Sequence, residues 1–318
     1  MKKLRLVLLL LGVGLLATFS AAVSMPTAAE STLPPTFVSL SVATEVLTKT
    51  AVEVPTELPT STVRPVSTVT VTDTRDSGDW KNWPVVPEAV SSSLRTLYLQ
   101  GLQVGNDAHR FSKIGDCQNN PVFYLAGYDD ITRYNLGDYV SLQETVRWFS
   151  GQFKRESAAV RGGMNVAGVQ SSLFTKTTVD AVCEIRETPL TCEIRANAPS
   201  IALVSFEELW DGDTSKYETY YRKLIDVLFQ NKILPILATT ATNESANAIV
   251  AKLAVEYHLP VWNLWRALQP LRSHGIADGF HLTQWGNIYD FSVEPFSGWH
   301  VRNLTALQSL DAVLRRVR

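Results

Sequence analysis

Hydrophobic and polar positions form blocks of two periods along the chain. Short runs typical of strands cover 109–114, 201–206, 233–238 and 260–263. Apolar residues recur at helical spacing in 139–149, 215–230, 243–258 and 301–314. Because strands and helices alternate, the pattern predicts an α/β fold with a parallel sheet between helical layers, and any site at the carboxyl ends of the strands. Pro235 predicts an irregular start or end for the third strand.

The first 24 residues have the layout of a secretory signal. A positive segment at 1–5 precedes an apolar run at 6–17 and a group of small residues at 20–24. Cleavage after Ser24 would remove this segment, whereas without cleavage about 18 mostly apolar residues are just enough for a membrane anchor. Both outcomes predict an extracytoplasmic protein, either secreted or tethered to a membrane at its N-terminus.

Residues 25–78 are predicted to form a low-complexity linker or stalk. From about residue 31 to residue 75 the chain is rich in Thr, Ser, Pro and Val and contains neither glycine nor tryptophan. Such a segment cannot bury enough apolar surface to offset the entropy lost on ordering, so we expect it to be disordered. One or two β-strands are the alternative, because Val and Thr favour strands. The folded domain is expected at 79–318.

Charge and cysteine content exclude several classes of protein. Lys and Arg number 29 and Asp and Glu 31, and this balance gives no electrostatic reason to bind nucleic acid. The 45% hydrophobic content is enough for a large core. The three cysteines lack the Cys-x-x-Cys spacing of zinc sites. We therefore expect no structural zinc site.

Two segments are candidates for chemistry. Cys117 follows the first predicted strand, where a loop and a helix start would favour a reactive thiolate. Its alternative is a small buried residue that packs as an apolar group. In the segment 278–281, Asp278 could orient the imidazole of His281 as a general base. The alternative there is an ordinary loop histidine.

Together these two segments resemble the SGNH, or GDSL-type, hydrolases. That family has Gly-Asp-Ser after its first strand and Asp-x-x-His near its C-terminus, and Gly115-Asp116-Cys117 and Asp278–His281 occupy these places. The resemblance covers about 105–318 and is closest to a secreted bacterial branch. Segments 155–157, 189–195, 234–239 and 302–305 also look familiar.

The resemblance implies a three-layer α/β/α sandwich of flavodoxin-like type and an ester (acyl) hydrolase. Cys117 would be the nucleophile, His281 the base and Asp278 its orienting partner, without metal or cofactor. The backbone N–H groups of Cys117 and Gly163 would form the oxyanion hole, although Gly162 is not distinguished from Gly163 by spacing. The partner would be a small-molecule or glycan ester.

Two departures from the family pattern predict impaired activity. Cys117 replaces the nucleophilic serine, and Leu209 stands where the family has an oxyanion-binding asparagine. Loss of one such donor costs roughly 3 kcal/mol, or about a hundred- to thousandfold in rate. The alternative function is a catalytically inactive module that recognises a cell-surface glycan or protein, and a fold alone does not decide between the two.

Three further groups of residues are candidates for binding or for stabilising the fold. The acidic residues at 207, 208, 211 and 213 are predicted to form a solvated loop, with cation binding or acid–base work as the alternative. Trp210, Trp285 and Trp299 could line a carbohydrate platform, although core packing explains most tryptophans. Cys183 and Cys192 are predicted to form a disulfide worth roughly 2–3 kcal/mol, and Cys117 would then be the odd thiol, able to pair between chains.

Overall fold

The computed structural model describes residues 73–175, 183–207 and 213–318. In this part of the chain four parallel strands form one sheet in the order β1-β2-β3-β4. The strands are β1 (Asp107–Gly115), β2 (Pro199–Ser205), β3 (Leu234–Ala238) and β4 (Val261–Trp262). This confirms the predicted α/β class. The predicted signal segment and the stalk up to residue 72 lie outside the described residues.

Helices cover both faces of the sheet. Lys113 of β1 points to one face, where its Nζ donates to the carbonyl of Phe153, 2.7 Å away. The neighbouring Ser112 points to the opposite face, where its hydroxyl donates to the carboxylate of Glu193. The α-helices are α1 (Ser92–Gln103), α2 (Gln143–Trp148), α3 (Pro189–Asn197), α4 (Thr214–Gln230), α5 (Glu244–Glu256), α6 (Leu264–Leu268) and α7 (Gly298–Val317).

Short 3-10 turns connect these elements. They are Ser77–Asn82, Cys117–Asn119, Ala126–Asp129, Gly137–Leu142, Gly168–Gln170, Ser172–Phe174 and Arg272–Gly275. The predicted helix at 139–149 is therefore a 3-10 turn followed by the short α2. None of the helices in the described ranges is both long enough and apolar enough to cross a bilayer.

Pro235 lies at the second position of β3, opposite Ala202 of β2. The N–H of Leu237 donates to Pro260, so the nitrogen of Pro235 faces the same side, towards β4. Pairing with β4 begins only at Leu237. The missing N–H therefore falls where β3 has no ladder partner, which agrees with the predicted irregular start and explains why a proline is tolerated.

The outer edge of β1 carries a short parallel partner. The N–H of Gly115 donates to Ala159 at 3.0 Å, and the N–H of Arg161 donates to Gly115 at 3.3 Å, so that Val160 forms a bridge with Gly115. After β1 the chain first forms this bridge on one side of the strand. It then returns to form β2 on the other side. In open α/β sheets such a reversal creates a crevice at the carboxyl ends of the strands.

The predicted disulfide between Cys183 and Cys192 is present. It joins the segment before α3 to the middle of that helix. Next to Cys192, Glu193 is fully buried and accepts hydrogen bonds from Arg155 and from the N–H of Ala158. Because residues 159–161 bond to Gly115 at the end of β1, α3 supports one wall of the crevice expected there.

Candidate active site

The turn that follows β1 is fastened by buried polar side chains. Asp116 accepts from the N–H of Gln118 at 3.0 Å and from the N–H of Glu207 at 2.6 Å. The amide of Asn119 donates to the carbonyl of Ser205 at 3.0 Å. The turn that carries Cys117 is thereby tied to the end of β2. The helix expected after Cys117 is a single 3-10 turn, Cys117–Asn119, so a full helix dipole is not available there.

Gly115 is required by the closeness of β2 and the turn. A Cβ at this position would lie 2.0 Å from the carbonyl oxygen of Ser205 and 2.1 Å from Nδ2 of Asn119. No side chain fits at these distances. Glycine before Asp116 therefore allows the turn to lie directly on the end of β2.

Asp278 and His281 form a hydrogen-bonded pair on the loop before α7. Nδ1 of His281 lies 2.8 Å from a carboxylate oxygen of Asp278, and the other oxygen accepts from the N–H groups of His281 and Phe280. These donors, with the N–H of His281 first, lower the pKa of the Asp278 carboxyl to about 2. The carboxylate is thus ionised at neutral pH and fixes the tautomer with the proton on Nδ1.

This pair is accessible from solvent. The side chain of His281 is 59% exposed, and that of Asp278 is similar. With Nδ1 turned towards the carboxylate, Nε2 is the ring nitrogen left for a proton transfer. This is the arrangement in which an aspartate orients a general base.

The loop of His281 lies against the turn of Cys117. Nε2 of Gln118 donates to the carbonyl of Phe280 over 3.1 Å, between residues 162 positions apart in the chain. The neighbours of the thiol and of the imidazole are therefore in contact at the carboxyl end of β1. This contact locates the candidate active site.

The glycines at 162 and 163 border the same turn. A Cβ built on Gly162 would lie 3.7 Å from Cβ of Cys117, whereas one on Gly163 meets no atom within 4 Å and its φ is +69°. Among the backbone hydrogen bonds of the described ranges, neither glycine N–H is a donor. Gly162 therefore lies next to Cβ of Cys117, and the predicted oxyanion role of Gly163 stays a prediction.

The predicted solvated position of Glu207 is wrong. Its side chain is 3% exposed, and Oε1 accepts from the N–H of Ala241 at 3.1 Å. Burial, and then the charge of Asp116, raises the pKa of the Glu207 carboxyl to about 7, against the opposing attraction of Arg302. Asp213 instead caps α4. Residues 208–211, which include Leu209 and Trp210, lie outside the described residues.

Arg302 of α7 is a buried cation that the sequence patterns did not identify. Its guanidinium lies 4.8 Å from the ring centre of Tyr124 and 5.3 Å from that of Trp262. Nη2 is 3.4 Å from Asn119 Oδ1 and 3.3 Å from Ser205 Oγ. Arg302 thus contacts both the turn after β1, at Asn119, and the end of β2, at Ser205. An arginine in an amphipathic helix is usually solvent-facing, so periodicity carried no signal for it.

The two described tryptophans of the predicted platform differ in exposure. Trp299 is buried and stacks on Phe123, with ring centres 5.4 Å apart. Trp285 is 47% exposed. A sugar could therefore stack only on Trp285 of this pair.

Close groups of metal-ligand-type side chains can be judged only for the described residues. In the described ranges, one group of ligand-type side chains lies close together, namely Cys183, Glu187 and Cys192. Its two sulfurs form the disulfide.

A cavity of about 510 Å³ lies at the opposite edge of the sheet, before β4, and is lined by residues such as Trp83, Pro87 and Pro260. Chemistry, and not cavity size, therefore locates the candidate site.

No protein-family model and no curated protein matches the chain. A solved GDSL-like lipase from Bacteroides thetaiotaomicron is similar at 11% identity and a TM-score of 0.38, over 69% of this chain and 98% of that one. A proposed acylhydrolase from Bacteroides fragilis is similar at 12% identity and a TM-score of 0.37, over 72% and 100%. At these values the likenesses concern the fold alone, and the chemistry rests on the residues themselves.

Proposed function

We propose that this protein is an extracytoplasmic acyl hydrolase of the SGNH type, or a related acyl transferase, with a thiol nucleophile. Cys117 attacks the ester, His281 is the general base and Asp278 orients the imidazole. The observation that carries the proposal is the Asp278–His281 pair, 2.8 Å apart, on a loop that contacts the turn of Cys117. The signal-like first 24 residues and the disulfide support an extracytoplasmic location.

The reaction would proceed through a thioester. Nε2 of His281 takes the proton of the thiol, and the sulfur attacks the carbonyl carbon of the ester. Backbone N–H groups of Cys117 and of Gly162 or Gly163 stabilise the oxyanion. The intermediate collapses as the ester C–O bond breaks, and the alcohol leaves with the proton from the imidazolium. Water, deprotonated by His281, then attacks the thioester and releases the acid and the thiol.

We expect the rate to be low. Leu209 replaces the asparagine of the family pattern, and an absent side-chain donor lowers the rate by about a hundred- to thousandfold. Cysteine can still form acyl intermediates when a histidine assists it. Slow turnover, and not absence of turnover, is therefore the expected behaviour.

The substrate class is proposed to be an ester of a small molecule or of a cell-surface glycan. An extracytoplasmic enzyme meets such esters, and the exposed ring of Trp285 follows closely after His281 and could stack on a sugar. The net charge of −2 gives no support for a polyanionic substrate.

Turnover of p-nitrophenyl acetate and of an acyl thioester by the full-length protein tests the proposal. We expect slow hydrolysis by the natural protein, a higher rate for Cys117→Ser and no rate above background for Cys117→Ala. The serine variant restores the hydroxyl that the family pattern places at this position. Equal background rates for all three proteins would overturn the proposal in favour of the binding module.

A further inference from the structure

Gln118 directly follows the thiol-bearing residue, and its side chain is 2% exposed. Its Nε2 donates to the carbonyl of Phe280, the residue before His281. We infer that Gln118 is a positioning residue, which holds the loop of the general base at the nucleophile. This inference rests on the proposed function, because it assigns a task to Gln118 within that reaction.

The loop needs such a contact because its other hydrogen bonds are either internal to it, such as those of Asp278 with Phe280 and His281, or lie at its base. The N–H of Ala277 donates to the carbonyl of His281 at 2.8 Å, and the N–H of Thr283 donates to Gly275 at 2.7 Å. The carbonyl of Thr283 in turn accepts from the N–H of Trp299 at the start of α7. Beyond these bonds, the tip of the loop is exposed. Gln118 fastens that tip from the floor of the crevice.

Gln118 is itself fixed at both ends. Its N–H is held by Asp116 at 3.0 Å, and Asp116 is fully buried. Because a carbonyl only accepts hydrogen bonds, the amide nitrogen, and not the oxygen, must face Phe280. The position therefore requires a side chain of this length that ends in a donor. Methionine has a similar length without a donor, and asparagine has the donor on a shorter chain.

Displacement of the loop would separate the imidazole from the thiol. Errors of about 1 Å in catalytic geometry cost up to about a hundredfold in rate. Without the Gln118 bond, we expect His281 to assist ionisation of Cys117 less well. The change would appear at neutral pH, where a thiol without assistance is ionised to only a few per cent.

Alkylation of Cys117 by iodoacetamide measures this assistance without a known substrate, because only the thiolate reacts. The full-length protein, His281→Ala, Gln118→Met and Gln118→Asn are compared at pH 7 and at about pH 10, where ordinary thiols are ionised. Gln170→Met is the matched control, since the amide of Gln170 also donates to backbone carbonyls, those of Val166 and Tyr220. Melting curves show that each variant is folded.

We expect His281→Ala to lower the rate at pH 7 about tenfold, both Gln118 variants to lower it at least threefold, and Gln170→Met to leave it unchanged. All alkylation rates should converge at pH 10, because the thiol is then ionised without help from His281. A mere change in access to Cys117 would instead alter the rate at both pH values. The variants leave the other charged groups around the turn in place, namely Asp116, Glu207, Arg161, Arg302 and Asp278.

Two results would overturn different claims. If His281→Ala leaves the rate at pH 7 unchanged, the thiol and the imidazole are not coupled, and the proposed function fails. If His281→Ala slows alkylation but both Gln118 variants react like the natural protein, only the positioning role is wrong. Because the two variants differ in length and polarity, one of them keeps the test valid when the other fails to fold.

Discussion

The side chains next to Cys117 hold the turn in place, whereas Cys117 itself is the candidate reactive group. Asp116, Gln118 and Asn119 make the bonds that tie the turn to its neighbours. Serine and cysteine differ by one atom at the end of a short side chain. We therefore expect the turn to keep its geometry when Cys117 is replaced by serine, which is why this variant reports on chemistry and not on folding.

Glu207→Gln is expected to stabilise the protein at alkaline pH. Burial raises the pKa of Glu207 to about 7 in the folded state, so the folded protein holds a proton that the unfolded chain releases above pH 4.5. The resulting stability is complete below pH 4.5 and is lost as the pH rises through 7. At pH 8 the variant should gain up to about 3 kcal/mol, since one pKa unit corresponds to about 1.4 kcal/mol.

Chemical denaturation at pH 4.5 and pH 8 measures this gain. Glu244→Gln is the control, because Glu244 is exposed and pairs with Lys81 at the surface. An equal effect of Glu207→Gln at both pH values would contradict the raised pKa of Glu207.

Lys113→Met is expected to stabilise the protein in the opposite pH range. Burial, and then the charge of Arg155, lowers the pKa of Lys113 to about 7. The folded state therefore loses a proton that the unfolded chain keeps up to pH 10.5, and stability falls as the pH drops towards 7. At pH 6 we expect a gain of about 2 kcal/mol after loss of the bond to Phe153.

The same denaturation experiment at pH 6 and pH 10 measures the effect of Lys113→Met. The gain should vanish or reverse at pH 10, because the unfolded amine is then close to its pKa of 10.5 and the folded state loses little stability by staying neutral. If Lys113→Met instead destabilises the protein at pH 6, burial of the Lys113 amine does not lower the stability.

At the scale of elements, the disulfide stabilises the wall of the crevice. Cys183 and Cys192 are separated by nine positions, and closing so short a loop contributes roughly 2–3 kcal/mol in the chain-entropy model. We expect the double variant Cys183→Ser, Cys192→Ser to lose about this much free energy of unfolding. Reductant should destabilise the natural protein and Cys117→Ser equally, and leave the double variant unchanged. Insensitivity of the natural protein to reductant would contradict this role.

The strongly periodic elements could be predicted from the sequence. The strands β2 and β3 and the helices α4, α5 and α7 lie within a few residues of the predicted ranges, because their apolar faces are nearly complete. The helix α1 gave a weak signal, since its buried positions are only Leu94, Tyr98 and Gly101. In α3 the inward face carries Glu193, whose partners come from other segments. Such tertiary partners are invisible to periodicity.

The residues of the candidate site also differ in how far the sequence predicts them. The spacing of Asp278 and His281 and the Gly115-Asp116-Cys117 segment indicated the local geometry, because each bond there spans a few residues. The burial of Glu207 and Arg302 depends on contacts between the end of β2, the β3–α5 loop and α7. No local pattern distinguishes those residues from solvated charges.

At the scale of the whole molecule, the sheet brings distant segments to one edge. The bridge at Val160 and the strand β2 flank the end of β1, where an open α/β sheet forms a crevice, and the loop before α7 contacts the turn there. Asp116, Glu207 and Arg302 are buried ionisable residues next to this edge. The fold therefore supplies a rigid floor for a site whose reactive groups are a thiol and an exposed imidazole.

Trapping of an acyl intermediate shows whether Cys117 is the nucleophile. The full-length protein is incubated with p-nitrophenyl acetate, quenched in acid and digested, and the acetylated peptide is located by mass spectrometry. We expect an acetyl group on Cys117 that is lost in His281→Ala. No acetyl group on Cys117, or equal labelling of Cys117 in His281→Ala, would contradict it.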